Sequence, residues 1–204
     1  MNIKALYKLG YGVYVVTSKK DGRINGQIAN TVFQVTSEPP TVTVSINKNN
    51  LTHDFIKESR VFSASSVLCQ DTPLTFIGRF GFKSGRDSDK FEGVNYKIGE
   101  TGAPIVLDNA VSHIEARVTK EMDVGTHTIF IGEVVNADVI SDEVCMTYEY
   151  YHQIKGGKTP KAAAYLDEKK VSQVPKEGKT KMRNTNAQSA AIYMTRKRAT
   201  LMAV

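Results

Sequence analysis

Two groups of polar residues lie close together in one stretch of 39 residues, positions 25–63. The first group falls inside a run that is predicted to be a strand and comprises Asn30, Thr31, Gln34 and Thr36. The second group crowds the predicted start of a helix and comprises Lys48, Asn49, Asn50, Thr52 and His53. The first turn of a helix has N–H groups without intrahelical partners, so a helix start beside a Lys and a Thr can bind a phosphate.

Other familiar kinds of site are not supported by the sequence. It has neither the GxxxxGK[ST] phosphate loop, nor the GxGxxG dinucleotide fingerprint, nor the GxSxG nucleophile elbow. The four histidines, 53, 113, 127 and 152, are scattered without the spacing of metal ligands, and the two cysteines are too few for a zinc or iron–sulfur cluster. We therefore expect neither a metal enzyme nor a serine hydrolase.

Further residues of interest follow later in the chain. Arg86 and Lys90 lie in a charged loop, KSGRDSDKF at 83–91, and His127 begins a predicted strand. Each also has a plainer interpretation, since a loop Lys is usually a solvated charge and a strand His is usually structural. Asn30 and Thr31 are, in the same way, compatible with a solvent-facing pair on a sheet.

The hydrophobic pattern predicts a mainly β domain. Strict alternation in TVTVSIN places Val42, Val44 and Ile46 on one face of a strand. Strands are predicted at 12–18, 24–36, 41–47, 61–68, 111–124, 127–140 and 145–151, and short helices at 2–9, 53–60 and 71–81. Bulges are predicted at Asn25–Gly26 and at Gly132, and Thr52 is the predicted N-cap of the second helix. Closely spaced strands with short helices between them indicate a closed antiparallel barrel with short flanking helices.

The net charge of +6 is confined to the end of the chain. Residues 1–166 carry 18 basic and 18 acidic side chains, whereas residues 167–204 carry nine basic and three acidic ones. A neutral body with a basic tail is weaker evidence for nucleic-acid binding than a basic body is. No apolar run approaches the roughly 18 residues of a membrane span, and the N-terminus does not resemble a secretion signal, so we expect a cytoplasmic protein without a membrane partner.

Three separated motifs, in this order along the chain, carry a resemblance. NGQIANTVFQVTSEPPTVTVSINKNNLTHDFI, FGFKSGRDSDKF and VGTHTIFIGEVVNAD together resemble the flavin reductase-like proteins with the FMN-binding split-barrel fold. The similarity is greatest to the flavoprotein part of high-molecular-weight rubredoxins and to flavoredoxins. It covers residues 1–166 as one split-barrel domain and leaves 167–204 as a basic tail, either disordered or ordered by a partner.

The resemblance implies a homodimer with FMN bound near the interface, and hydride transfer from NAD(P)H to the flavin. Asn30 and Thr31 are then expected at the flavin ring or its ribityl chain, and His127 on the nicotinamide side. The other residues expected to bind the cofactor are Gln34 and Thr36 in the strand, Lys48, Asn49 and Thr52 at the phosphate, Arg86 and Lys90 as nearby positive charges, and Tyr150 or Tyr151 over the ring.

The chain departs from the high-molecular-weight rubredoxins because it has no CxxC pair for a rubredoxin iron. A rubredoxin acceptor is then expected to be a separate protein, which the basic tail could attract; a flavodiiron protein or free flavin is another expected acceptor. Two alternatives remain open. One is an electron-transfer flavoprotein of the flavoredoxin type that oxidises NAD(P)H poorly. The other is a cofactor-free module that binds nucleic acid through the tail.

Overall fold

The computed structural model describes residues 2–160 and residue 163. The predicted tail, 167–204, and the predicted domain boundary before it lie outside these residues. Within them, the chain begins with a short 3-10 helix, Ile3–Lys8, which agrees with the helix predicted at 2–9.

Nine strands and three helices follow in the described part of the chain. The strands are β1 (Tyr14–Lys20), β2 (Arg23–Ala29), β3 (Val32–Ser37), β4 (Pro40–Asn47), β5 (Val61–Val67), β6 (Tyr96–Ile98), β7 (Pro104–Val106), β8 (Ser112–Asp123) and β9 (His127–Val139). The helices are α1 (Leu51–Ser59), α2 (Leu74–Phe82) and α3 (Tyr148–Gln153). The fold is mainly β with few helices, as the hydrophobic alternation predicts.

Seven of the strands form one antiparallel sheet in the order β2-β1-β5-β8-β9-β4-β3. Three hairpins, β1–β2, β3–β4 and β8–β9, account for half of the pairings. The Asp21–Gly22 turn joins β1 to β2, as its sequence predicts. β6 and β7 form a separate two-stranded sheet.

The two edge strands of the large sheet are consecutive in sequence. β2 ends at Ala29 and β3 begins at Val32, so Asn30 and Thr31 alone connect one edge of the sheet to the other. The Ser45 N–H donates to the Thr31 carbonyl at 3.2 Å, which holds this connection against β4. A sheet whose edges are joined in this way curves around an interior. Closure of the barrel by a ladder between its edge strands stays a prediction.

Two apolar cores lie on opposite faces of the sheet. The inner core contains Val16, Val44, Phe62 and Phe130, whereas the outer core packs α2 and α3 against the other face. β1 is buried on both faces because Val15 belongs to the outer core and Val16 to the inner one. This double burial explains why β1 reads as a continuous apolar run rather than an alternating one.

The strand predicted at 145–151 is wrong, because the chain forms α3 there. Thr147 caps this helix, its hydroxyl accepting a hydrogen bond of 3.1 Å from the Tyr150 N–H. Only isolated bridges at Cys145 and Thr147 remain of the predicted strand. The aromatic residues that favour strand in this segment instead bury Tyr148 and Tyr151 against the outer core.

The predicted strand 24–36 is also wrong in detail, since it breaks at Asn30–Thr31. Asn25 and Gly26 pair regularly with β1, so the predicted bulge there is absent. The unpaired extra residues of the β8–β9 ladder are Thr119 and Val135, as judged from its register, rather than Gly132.

Both predicted helix starts are shifted. Asn50, not Thr52, occupies the N-cap position of α1, and Pro73 that of α2. Thr52 lies inside the first turn of α1 and is 1 % exposed. Among the described residues, none of the helices is both long and apolar enough to cross a membrane.

Candidate functional site

A cavity of about 530 Å³ opens where four segments meet. They are the β2–β3 connection, the start of α1, the loop that follows α2, and α3 with the residues after it. Its volume lies within the range of about 300–1,000 Å³ that is typical of cofactor sites. Eight of the residues expected at the flavin or the nicotinamide line it: Asn30, Thr31, Asn49, Thr52, Arg86, Lys90, His127 and Tyr151.

The β2–β3 connection supplies polar groups to one part of the cavity. The Thr31 hydroxyl donates to the Ser45 carbonyl at 3.2 Å, so this side chain is held by β4. Asn30 is 6 % exposed, and its amide nitrogen is buried without a hydrogen-bond partner in the described structure. The buried side-chain oxygen of Gln27, on β2, also has no partner there. Buried polar atoms are nearly always paired, so these two amide atoms are available to hydrogen-bond a ligand in the cavity.

The start of α1 forms a second part of the cavity. The Asn50 side chain makes no capping hydrogen bond to the first turn. The positive end of the helix dipole therefore faces the cavity without a side-chain cap. Thr52 is fixed there because its hydroxyl accepts a hydrogen bond of 2.8 Å from the Asn25 amide.

The loop after α2 brings Arg86 to the same helix start. Its guanidinium donates to the Asn49 carbonyl at 3.1 Å and to the Asp54 carboxylate at 3.1 Å. The loop also passes close to Asn25, since a Cβ on Gly85 would lie 2.0 Å from the Asn25 side-chain oxygen. These contacts place a cation next to an uncapped helix start, which is an arrangement that suits an anion.

Lys90 is a buried cation on the cavity wall. Its ammonium group donates to the Gly26 carbonyl at 2.9 Å and to the Phe80 carbonyl at 3.2 Å. Burial lowers its pKa from 10.5 to about 8. Since both of these partners are neutral, an anionic ligand in the cavity would gain from the remaining charge.

His127 and Tyr151 complete the residues that the structure brings together. His127 opens β9 opposite Asn47 of β4, and its Nδ1 shares a hydrogen bond of 2.9 Å with the Thr126 hydroxyl. The Tyr151 hydroxyl donates to the Lys158 carbonyl at 2.9 Å, and burial raises the pKa of this phenol. Both side chains are thus oriented by neighbours.

Four residues expected at the site do not line the cavity. Gln34 and Thr36 lie on the exposed edge strand β3, where their side chains bond to the carbonyls of Thr36 and Pro39. Lys48 points to β8, with its ammonium group 2.5 Å from the Asp123 carboxylate. Tyr150 packs against the outer core instead, and Tyr151 is the tyrosine of this pair that reaches the cavity.

Several lining residues were missed from the sequence, among them Asn25, Gln27, Ser45 and Tyr148. Asn25 and Gln27 alternate along β2 and so lie on one face of it, a period-two signal that the sequence contains. The alternation was overlooked because the Asn25–Gly26 dipeptide suggested a bulge at this point. Tyr148 was hidden by the strand prediction for 145–151.

Comparison with known proteins gives the chain a family. It matches the family described as flavin reductase like domain over residues 6–155. It is 55 % identical over 163 residues to a high molecular weight rubredoxin of Moorella thermoacetica, covering 80 % of this chain and 71 % of the relative. It is 53 % identical over 170 residues to a ferric-chelate reductase (NAD(P)H) of Archaeoglobus fulgidus, covering 83 % of this chain and 100 % of the relative.

A solved structure supports the fold. Flavoredoxin from Methanosarcina acetivorans superimposes with a TM-score of 0.58 at 24 % identity, covering 64 % of this chain and 69 % of that one. The family match and the two curated relatives confirm the resemblance inferred from the three motifs. The chain belongs to the flavin reductase like family and is a reductase.

Proposed function

We propose that this protein is an FMN-dependent NAD(P)H oxidoreductase whose flavin occupies the cavity between the β2–β3 connection and the start of α1. The observation that carries the proposal is the pairing of two different environments in one cavity. One end is cationic and lies at a helix start, and the other holds the Asn30 amide nitrogen and the Gln27 amide oxygen, which are buried without a partner among the described residues.

The cationic end suits the FMN phosphate. The first turn of α1, Thr52 and Arg86 converge there, and Arg86 is already bound to the Asn49 carbonyl. A phosphate ester carries a charge of about −1.5 to −2 near neutral pH, and it gains from both a helix dipole and an arginine. We assign this end to the phosphate, with Lys90 as a second positive charge deeper in the cavity.

The amide end suits the flavin ring. The pyrimidine edge of a flavin presents an N–H donor between two carbonyl acceptors, and a side-chain amide offers both a donor and an acceptor. Asn30 and Gln27 each have a buried amide atom that lacks a partner in the described structure. We assign these two residues to the ring edge, with Thr31 held by β4 beside them and Tyr151 covering the ring.

The flavin supplies the redox chemistry when it is bound, taking two electrons from a reduced nicotinamide and giving them to an acceptor. The residues of the chain bind and orient the flavin and the nicotinamide. Thr126 holds the His127 ring at the cavity, and we propose that His127 positions the nicotinamide. His127→Ala is then expected to slow anaerobic reduction by NAD(P)H while FMN is retained. Loss of FMN from this variant would instead make His127 a cofactor ligand.

The proposed function is tested by the visible spectrum of the purified protein. We expect a yellow protein that takes up FMN and is bleached under anaerobic conditions by NADH or NADPH. A yellow protein that neither nucleotide bleaches would be an electron-transfer flavoprotein of the flavoredoxin type. A colourless protein that does not take up FMN, yet binds DNA with steep salt dependence, would overturn the flavin proposal.

The names of two relatives support a proposal for the electron acceptor. One is named a high molecular weight rubredoxin, and another, aligned over its whole length, is named a ferric-chelate reductase. We propose electron transfer to a separate rubredoxin or to free flavin, with ferric chelates as the second candidate. Reoxidation of the reduced protein by rubredoxin, a flavodiiron protein, free FMN and ferric citrate, added one at a time, ranks these acceptors. We also propose that the protein works as a homodimer.

A further inference from the structure

The two cysteines of the chain face each other across an antiparallel bridge. Cys69 lies two residues after β5, and Cys145 lies three residues before α3. The positions are 76 residues apart in sequence, so their meeting is a result of the tertiary fold. No role in the proposed flavin chemistry involves either thiol.

The hydrogen bonds around the pair define its geometry. The Gln70 N–H donates to the Val144 carbonyl at 2.9 Å, and the Met146 N–H donates to the Leu68 carbonyl at 2.6 Å. These two bonds flank the cysteines, whereas the Cys69 N–H points away to the Asn109 carbonyl at 3.0 Å. Cys69 and Cys145 are therefore a non-hydrogen-bonded pair of an antiparallel ladder.

Such pairs have the separation that a disulfide needs. Their Cα atoms lie about 4.5 Å apart and their side chains leave the ladder on the same face. Disulfides span Cα separations of about 4.4–6.8 Å. The backbone thus accepts a bond between the two sulfur atoms with little movement, although both thiols are free in this structure.

The two thiols differ in access to solvent. Cys145 is exposed, whereas Cys69 is 4 % exposed and its sulfur lies 3.6 Å from the Thr72 hydroxyl. An oxidant in solution therefore meets Cys145 first, and Cys69 is placed to resolve the product.

We propose that Cys69 and Cys145 form a reversible intramolecular disulfide, with a peroxide as the oxidant and a dithiol as the reductant. The Cys145 thiolate attacks hydrogen peroxide, the O–O bond breaks, and a sulfenic acid and hydroxide form. The Cys69 thiol then attacks the sulfenic sulfur, the S–O bond breaks, and the departing hydroxide takes the thiol proton and leaves as water as the S–S bond forms. A dithiol reverses the change by two thiol–disulfide exchanges and becomes a disulfide itself.

The bond would fasten a segment that reaches the cavity. Tyr148 and Tyr151 follow Cys145 and line the cavity, and both core packing and backbone hydrogen bonds tie this segment to its neighbours. The Val13 N–H donates to the Met146 carbonyl at 3.2 Å, and the Tyr148 N–H donates to the Tyr11 carbonyl at 2.8 Å. Oxidation is expected to slow the opening of this segment, seen as slower hydrogen exchange of the Met146 amide.

The test uses the full chain, reduced and then treated with one equivalent of hydrogen peroxide. We expect the number of titratable thiols to fall from two to none and the mass to fall by two hydrogen atoms. A peptide map without reductant should join the peptides that contain Cys69 and Cys145, and a dithiol should restore both thiols. None of these measurements depends on flavin or nicotinamide.

Two variants separate the steps. Cys69→Ala should accumulate a sulfenic acid at Cys145 that dimedone traps, and Cys145→Ser should keep its one thiol over the time in which the wild type loses both. Wild-type protein that keeps both thiols, or that forms only disulfides between chains, would overturn the proposal. If Cys69→Ala fails to fold because its site is buried, the peptide map of the wild type and Cys145→Ser decide the matter.

Discussion

Arg86 and Lys48 show how side chains of the same charge acquire different roles in this protein. Both lie near the start of α1 in sequence or in space, and both were expected to bind cofactor. Both pair with a carboxylate, but Arg86 lines the cavity beside Asp54 and the Asn49 carbonyl, whereas Lys48 turns away to Asp123. The hydrogen bond from Lys48 lowers the pKa of Asp123, an exposed carboxyl, as expected of a surface ion pair.

This difference predicts a selective loss of phosphate binding. Arg86→Ala should weaken FMN binding about tenfold or more, as expected for loss of a charge-assisted hydrogen bond, and should weaken riboflavin binding much less, since riboflavin has no phosphate. Lys48→Ala is the matched control and should change neither affinity by more than about twofold. Flavin fluorescence titrations measure the dissociation constants of FMN and riboflavin for each of the two variants. Equal losses for FMN and riboflavin in Arg86→Ala would place the phosphate elsewhere.

Lys90 predicts a pH dependence of stability. Because burial lowers its pKa from 10.5 to about 8, the unfolded chain binds a proton that the folded chain lacks between these two pH values. The contribution of Lys90 to the free energy of unfolding therefore rises with pH between about 8 and 10.5. The destabilising effect of the buried charge is complete below the folded pKa and is gone above the unfolded one.

Lys90→Met should remove this contribution. Between about pH 8 and 10 the free energy of unfolding of the wild type should rise relative to that of the variant, by at most about 1.4 kcal/mol per pH unit for one proton. Urea unfolding of both proteins at several pH values measures the difference, and the tyrosines that also titrate there are common to both. Parallel pH profiles would show that the ammonium group is not buried as described.

At the scale of the elements, β9 packs closely against the inner core because one of its residues is a glycine. Gly132 lies where β9 crosses the inner core, and a Cβ there would come within 2.9 Å of both the Ala116 Cβ and the Phe62 ring. The backbone approach requires glycine, although the residue is not the bulge that its sequence suggested.

Gly132→Ala should therefore destabilise the protein by about 1–3 kcal/mol, the usual cost of overpacking a core. Gly78→Ala is the control, because Gly78 lies in α2 with open space around its Cβ position. That change should stabilise the helix by about 0.5–1 kcal/mol. Thermal or denaturant unfolding of the two variants tests whether Gly132→Ala lowers the free energy of unfolding and Gly78→Ala raises it. A Gly132→Ala protein as stable as the wild type would refute the packing argument.

α3 shows why some elements escape a sequence-based prediction. The segment CMTYEYY has the aromatic and β-branched residues of a strand, yet the capping hydroxyl of Thr147 and the burial of two tyrosines favour a helix. Propensity is a local average, whereas this burial depends on α2 and β1, which are distant in sequence. The position of Asn30 between strands escaped for a related reason, since the curvature of a sheet is set by all of its strands.

At the scale of the whole molecule, the edge strand β3 exposes apolar side chains. Phe33 is 62 % exposed and Val35 is 45 % exposed on this edge strand, and Val35 is the residue that the β3–β4 pairing skips. Exposed apolar edge strands are sites of association between chains. They support the proposed homodimer and indicate where a second copy would pack.

The homodimer predicts a particle of twice the 22.5 kDa of one chain in sedimentation equilibrium. Phe33→Lys should shift the particle to the mass of one chain, because it places a charge in the apolar contact. Val144→Lys is the control, since Val144 is also exposed, at 65 %, but lies outside the sheet edge. A wild-type protein that sediments as a single chain would contradict the homodimer.

The sequence by itself determined the strand faces and the family. Alternation is a local property of a pleated strand, so Val42, Val44 and Ile46 could be assigned to the core without knowledge of their neighbours. The tertiary structure alone decided which polar residues meet. Arg86 reaches Asn49, Lys48 reaches Asp123 and Cys69 reaches Cys145 across separations of at least 37 residues, because strand order, not chain order, sets the neighbours of a side chain.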